Sequence, residues 1–212
     1  MKTLLLTLVA AAGIAFAAEA QTVSVGPRIG ATFAKINFSG EDGDSDFNEA
    51  IKANAGLQFG AVANFAVNDM FSVQPELLYV QKGYKISEEG MTLKLKANYL
   101  EVPVLAKASF GSDSYKVFFT AGPSVGYWMS GKSSFEYDGD EVSEDYEFED
   151  GDNRTELGAN IGAGIAYPVS SGTVNLDVRY GFGLSSLYSD DQGDAKAKNR
   201  VFGVSVAYLF SL

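Results

Sequence analysis

The 212 residues contain no cysteine and no histidine. The first absence rules out disulfides and thiolate metal sites, so backbone pairing and packing alone must hold an exported chain together. The second removes the commonest metal ligand and the commonest general base. Serines are plentiful, yet nothing of histidine's kind is there to activate one, which excludes histidine-dependent barrel proteases, lipases and acyltransferases. Cations are scarce too. Sixteen Lys and Arg stand against 27 Asp and Glu, a net charge of −11, the wrong sign for gripping nucleic-acid phosphates.

The N-terminus reads as a signal for export. Met1-Lys2 gives a basic start, residues 4–17 carry no charge, and Ala18-Glu19-Ala20 supplies an A-x-A cleavage pattern. That apolar run is too short to span a bilayer as a helix. Residues 1–20 are therefore expected to be a cleaved signal peptide. Residues 21–212, undivided by any Pro-rich or Ser-rich linker, are expected to form one domain.

The acid is unevenly placed. Segments 41–49, 88–89, 136–152 and 190–194 hold 20 of the 27 carboxylates, and they mark loops. Between them the sequence alternates apolar and polar with period two, the strand signal. Eight such segments can be counted, over 22–39, 54–68, 70–86, 92–110, 115–135, 154–168, 173–188 and 198–210. In the fourth, apolar parity changes near Asn98, which predicts a bulge there. Short turns at 68–69, 111–114 and 170–172 alternate with the long acidic connections, the asymmetry of outer-membrane barrels.

Alternation alone does not distinguish a membrane barrel from a soluble barrel that buries its apolar face around a ligand. Composition does. One face is bulky: Val25, Ile29, Phe33, Leu57, Phe59, Phe65, Leu77, Val117, Phe119, Ile161, Ile165, Leu176. The other is rich in glycine, including Gly26, Gly30, Gly56, Gly60, Gly122, Gly158, Gly162, Gly181 and Gly203. Glycine in a strand loses entropy and packs nothing, so a face built of it suits only a crowded interior. The expectation is an all-β protein, an eight-stranded antiparallel up-and-down transmembrane β-barrel in the outer membrane. Phe33, Phe65, Tyr127, Tyr167 and Tyr188 would form its interfacial girdles, with Trp128 among them.

The glycine-rich face also carries Arg28, Lys82, Lys107 and Arg179 against Glu76, Glu101 and Asp177. A lipid-facing Lys or Arg near the midplane costs about 2–4 kcal/mol, which sends this set inward, where it can pair and plug the lumen. Glu76 and Glu101 can be read as an acid–base pair, but the lumen charge network accounts for them without chemistry. Asp42-Gly-Asp44-Ser-Asp46 starts like a calcium loop, yet Phe47 replaces the required glycine. Gly162-Ala-Gly164 lacks the third glycine and the helix of a dinucleotide site. No catalytic, cofactor-binding or metal-binding residue is expected, and no enzyme. The acidic run 136–152 is expected to be a solvated loop.

Five motifs in order carry a family resemblance: Val25-Gly-Pro-Arg-Ile-Gly30, Val73-Gln-Pro-Glu-Leu-Leu-Tyr79 with Gln81-Lys-Gly83, Tyr99-Leu-Glu-Val-Pro-Val-Leu105, Ala121-Gly-Pro-Ser-Val-Gly126 and Val178-Arg-Tyr-Gly181. Together they resemble the PorT-type outer-membrane β-barrel family over essentially the whole mature chain. The resemblance implies an eight-stranded barrel akin to the OmpA and OmpX types. PorT itself is associated with secretion across the outer membrane. The leading expectation is a monomeric structural or surface-interaction barrel. Its partners would be outer-membrane lipid, lipopolysaccharide and surface or secretion-machinery proteins. A secretion component and a narrow pore are the alternatives.

Overall fold

Each of the eight alternating segments is a strand in the computed structural model, which describes residues 22–39, 48, 50–88, 90–138, 140–149, 152–187 and 196–212. In chain order the strands are β1 (Thr22–Ser39), β2 (Ile51–Ala66), β3 (Phe71–Glu88), β4 (Met91–Gly111), β5 (Lys116–Tyr137), β6 (Asp140–Asp145), β7 (Thr155–Val169), β8 (Gly172–Gly183) and β9 (Lys196–Ser211). All pairings are antiparallel. The ring runs β1-β2-β3-β4-β5-β7-β8-β9 and closes through β1 against β9. Eight staves therefore satisfy one another's backbone groups and leave no sheet edge in hydrocarbon. The signal peptide, the calcium-loop-like run 42–46, Tyr188 and the acidic segment 190–194 lie outside the described residues.

The ninth strand corrects the reading of 136–152 as a solvated loop. Glu136 and Tyr137 continue β5, and β6 folds back on it with Phe135 opposite Val142 and Lys132 opposite Asp145. Cross-strand apolar and opposite-charge pairs of this kind stabilise a hairpin despite the acid around them. The connection at 88–89 is likewise no long loop. β3 and β4 run on until Glu88 opposes Met91, and Gly90 turns the chain at φ 87°.

At the other end the turns are tight. Asn68 Oδ1 accepts from the amides of Met70 (2.9 Å) and Phe71 (2.8 Å), a side-chain-closed turn. Strands that stop at short turns at one end and run on into long hairpins at the other place the turns on the periplasmic side.

The bulky face points out. Ile29, Leu57, Phe59, Leu77, Phe119, Ile161 and Leu176 are each more than half exposed on the barrel wall. Phe33, Tyr127 and Tyr167 sit exposed at its rims, and Phe65 is half-buried. The glycine face points in, and its glycines make room: a Cβ on Gly162 would come within 2.8 Å of Thr120 Oγ1, and one on Gly158 within 2.8 Å of Ser124 Oγ. Gly83, paired with the outward Lys96, is there for another reason. Its φ of 131° is one that side-chain-bearing residues rarely adopt.

The bulge sits at the expected level, with its extra residue on the neighbouring strand. β3 and β4 keep one register along their whole length, so the odd residues of β4 face the lumen side on both sides of Asn98. The irregularity is on β5: Asn98 pairs with Ser130 and Tyr99 with Trp128, which leaves Met129 over. Apolar parity changes along β4 because the surroundings change. Below Asn98 the apolar residues face lipid; above it Leu93, Leu95 and Ala97 share the face of Tyr99.

Candidate functional site

Strand alternation delivers the ionisable residues to the lumen. Arg28 comes from β1, Glu76 and Lys82 from β3, Glu101 and Lys107 from β4, Asp177 and Arg179 from β8; all are buried. Glu156, on β7, joins them and was missed in the sequence because it adjoins the acidic run. Its signal was parity, since Glu156 shares a face with Gly158, Asn160 and Gly162. These eight are all the buried charged residues among those described, four cations and four carboxylates, so the lumen has no formal net charge.

They form two clusters. In the lower one, Arg179 grips Glu76 with two parallel contacts, Nη1 to Oε2 at 2.8 Å and Nη2 to Oε1 at 3.0 Å. This fork geometry is the strongest form of the pair. Arg28 reaches Asp177 at 2.8 Å and Glu76 at 3.4 Å. Gln74 Nε2 donates to Glu76 at 2.6 Å, and Ser205 both accepts from Arg28 (2.6 Å) and donates to Asp177 (3.1 Å). In the upper cluster Lys82 Nζ stands 2.8 Å from Glu101 and 2.7 Å from Glu156. Asn199 donates to Glu156, and Asn160 to Glu101 and Ser124.

Lys107 departs from the expected network. Its ammonium lies 4.1 Å from the Phe118 ring centroid and makes no ion pair with a described residue. An aromatic face partly replaces the hydration that the cation lost on burial.

Between the clusters lies a cavity of about 30 Å³, lined by Gln58, Lys82, Glu101, Asn160 and Arg179. A buried water needs roughly 10–15 Å³, so the space suits one or two waters and no solute.

Above Lys82 the lumen ends in aromatics. The Lys82 ammonium lies 4.6 Å from the Tyr99 ring, Tyr99 stacks on Trp128, and Tyr146 and Phe148 from the chain after β6 close over Trp128 at 5.0 Å each. Trp128 is only 3% exposed. It is therefore no girdle residue: the β5 bulge follows it directly, so it still points inward with Ser124 and Gly126. Periodicity places a residue on a face but does not show where, within one residue, a bulge reverses it.

Among the described residues no three His, Cys, Asp or Glu side chains come together as a metal site. Gly162 and Gly164 lie mid-strand in β7.

The sequence matches the outer membrane protein beta-barrel domain family over residues 19–189. The chain belongs to that family. It is an outer-membrane β-barrel protein, and four of the five motifs noted in the sequence supply a lumen ion: Arg28, Glu76 with Lys82, Glu101 and Arg179. No curated protein matches the chain. Among solved structures it is similar to Ail, the attachment invasion locus protein of Yersinia pestis, at 16% identity, 88% of this chain and 98% of that one, and a TM-score of 0.42. Neisserial surface protein A matches at 16% identity, 88% and 97% coverage and a TM-score of 0.45. OprG of Pseudomonas aeruginosa matches at 13% identity, 92% and 97% coverage and a TM-score of 0.49.

Proposed function

We propose that this barrel is a closed, non-enzymatic mount that holds its outer hairpins and loops at the cell surface for contact with other molecules. The observation that carries the reading is the plugged lumen: two ion clusters, a cavity the size of a water or two, and an aromatic cap of Tyr99, Trp128, Tyr146 and Phe148. Eight staves leave room mainly for side chains. Composition supports the absence of an enzyme, since neither His nor Cys is there to serve as base or thiolate. The acidic β5–β6 hairpin stands at the outer end beside the β3–β4 tip, and every residue of β6 is exposed. The narrower PorT-type membership, carried by the five motifs, belongs to the same proposal, with surface or secretion-machinery proteins as partners.

Conductance tests it. The protein inserted into planar bilayers should pass no steady ion current. A steady current from the unmodified protein would replace the mount with a narrow pore.

A further inference from the structure

The cations outside the lumen are not scattered. Of the sixteen Lys and Arg, four fill the lumen, Lys2 lies outside the described residues, and Lys116 stands at the periplasmic end; the remaining ten all lie at the outer ends of the staves. Strand register sets several of them side by side. Lys52 opposes Lys85, Lys85 opposes Lys94, and Lys96 opposes Lys132, a patch across β2, β3, β4 and β5. These residues alternate with Tyr84, Leu95 and Ala97 of the inward face, so they point outward.

Like charges directly opposite each other on a sheet are destabilising. Lysines often protect exposed sheet edges, but at Lys85, Lys94, Lys96 and Lys132 the staves are paired on both sides, so that explanation reaches Lys52 alone. Nor does the described acid of the chain neutralise the patch. Of these lysines only Lys94 has an ion pair with a described residue, Glu136 at 2.8 Å, and Asp145 stands across from Lys132 in register without reaching salt-bridge distance.

Height identifies the missing anion. On these same staves the lipid-facing side chains end with Leu57, Tyr79, Leu100 and Tyr127. Lys96 precedes Leu100 by four residues, roughly 13 Å up the strand. At a strand tilt of about 40° that is about 10 Å along the membrane normal, at the outer limit of the headgroup layer, into which a lysine stem can reach back down. Clustered lysines at a membrane surface bind anionic headgroups.

We propose that Lys52, Lys85, Lys94, Lys96 and Lys132 form a binding site for the phosphate groups of an outer-leaflet glycolipid. The proposal rests on the membrane seating of the barrel and not on the closure of its lumen.

The test compares retention of diphosphoryl lipid A and of its dephosphorylated form by native mass spectrometry of the protein in detergent. The phosphorylated lipid should be retained in preference by about tenfold or more. The triple variant Lys52→Gln/Lys85→Gln/Lys96→Gln, which spares the Lys94–Glu136 pair, should lose that preference, whereas Lys116→Gln should keep it. Millimolar inorganic phosphate should not compete, because the site takes a lipid-borne phosphate; displacement by free phosphate alone overturns the assignment to lipid. Equal retention of both lipids, or an unaltered preference in the triple variant, overturns the site. Should the triple variant not fold, the two-lipid comparison on the unmodified protein still decides. Heat-modifiable gel migration reports the barrel separately, so a folded barrel without lipid preference defeats this site and leaves the membrane reading intact.

Discussion

The lower and upper lengths of a single stave obey opposite rules. On β4 below Asn98, Leu100, Val102 and Val104 face outward while Glu101 and Lys107 are buried in the lumen; above it, Lys94 and Lys96 face outward and Leu93, Leu95 and Ala97 take the inner face. The strand does not break between them and its register with β3 holds throughout; only β5 slips, by the one residue Met129. What breaks is the solvent. Where lipid surrounds the wall, ions are cheaper inside as pairs than outside alone; where water surrounds it, apolar side chains do better inside. The height at which the pattern inverts marks the outer face of the membrane.

The sharpest way to break that comparison is in the lower lumen. Glu76 serves Arg179 and Arg28 at once, so Glu76→Leu leaves two guanidiniums without their shared carboxylate and should cost about 3–5 kcal/mol. Adding Arg179→Leu should restore much of the loss, because replacing both partners of a buried pair with apolar residues is often close to neutral. Denaturant unfolding in lipid vesicles, followed by heat-modifiable migration, measures both. If Glu76→Leu unfolds like the unmodified protein, the lower ions contribute nothing and half of the inversion loses its energetic basis.

The outer wall offers a paired test of smaller size. Ile161, 52% exposed on β7, faces lipid, and Ile161→Arg should cost about 2–4 kcal/mol. Ser134, outward on β5 above the bulge, already lies among Lys94, Lys132 and Glu136. Ser134→Arg should stay within about 0.5 kcal/mol. Equal costs at the two positions, measured by the same unfolding assay, would place them in one solvent and erase the boundary.

That boundary also explains which parts of the molecule were readable in sequence. Period-two alternation and the glycine face were enough for the strands, their closure and the inward placement of Arg28, Glu76, Lys82, Glu101, Lys107, Asp177 and Arg179, because lipid and lumen impose one rule at every second residue. Pairing inside the lumen was not readable. Asp177 on β8 meets Arg28 on β1, and Glu156 on β7 meets Lys82 on β3; these contacts depend on shear around the ring, which no local pattern encodes. The outer hairpins failed for another reason. In 136–152 charge density suggested a solvated loop, while Phe135 opposite Val142 and the aromatic pair Tyr146 and Phe148 folding onto Trp128 turned on single residues set in acid.

The smallest effect should come from the one ion pair of the outer wall among the described residues. Glu136 hydrogen-bonds Lys94 at 2.8 Å, which raises the lysine above its ordinary value of 10.5. A raised cation stabilises the fold fully below its unfolded value and loses that contribution as pH climbs through the folded one. The difference between the unmodified protein and Glu136→Gln should therefore hold near neutrality, under about 1 kcal/mol for so exposed a pair, and vanish in strong alkali. It should fall in 1 M salt as well, where the screening length is about 3 Å. The Glu76 cluster, shut away from ions, should keep its effect at that salt concentration. A salt-sensitive Glu76 and a salt-insensitive Glu136 would together mean that the lumen is open to solution and the outer wall is not, the reverse of the arrangement described.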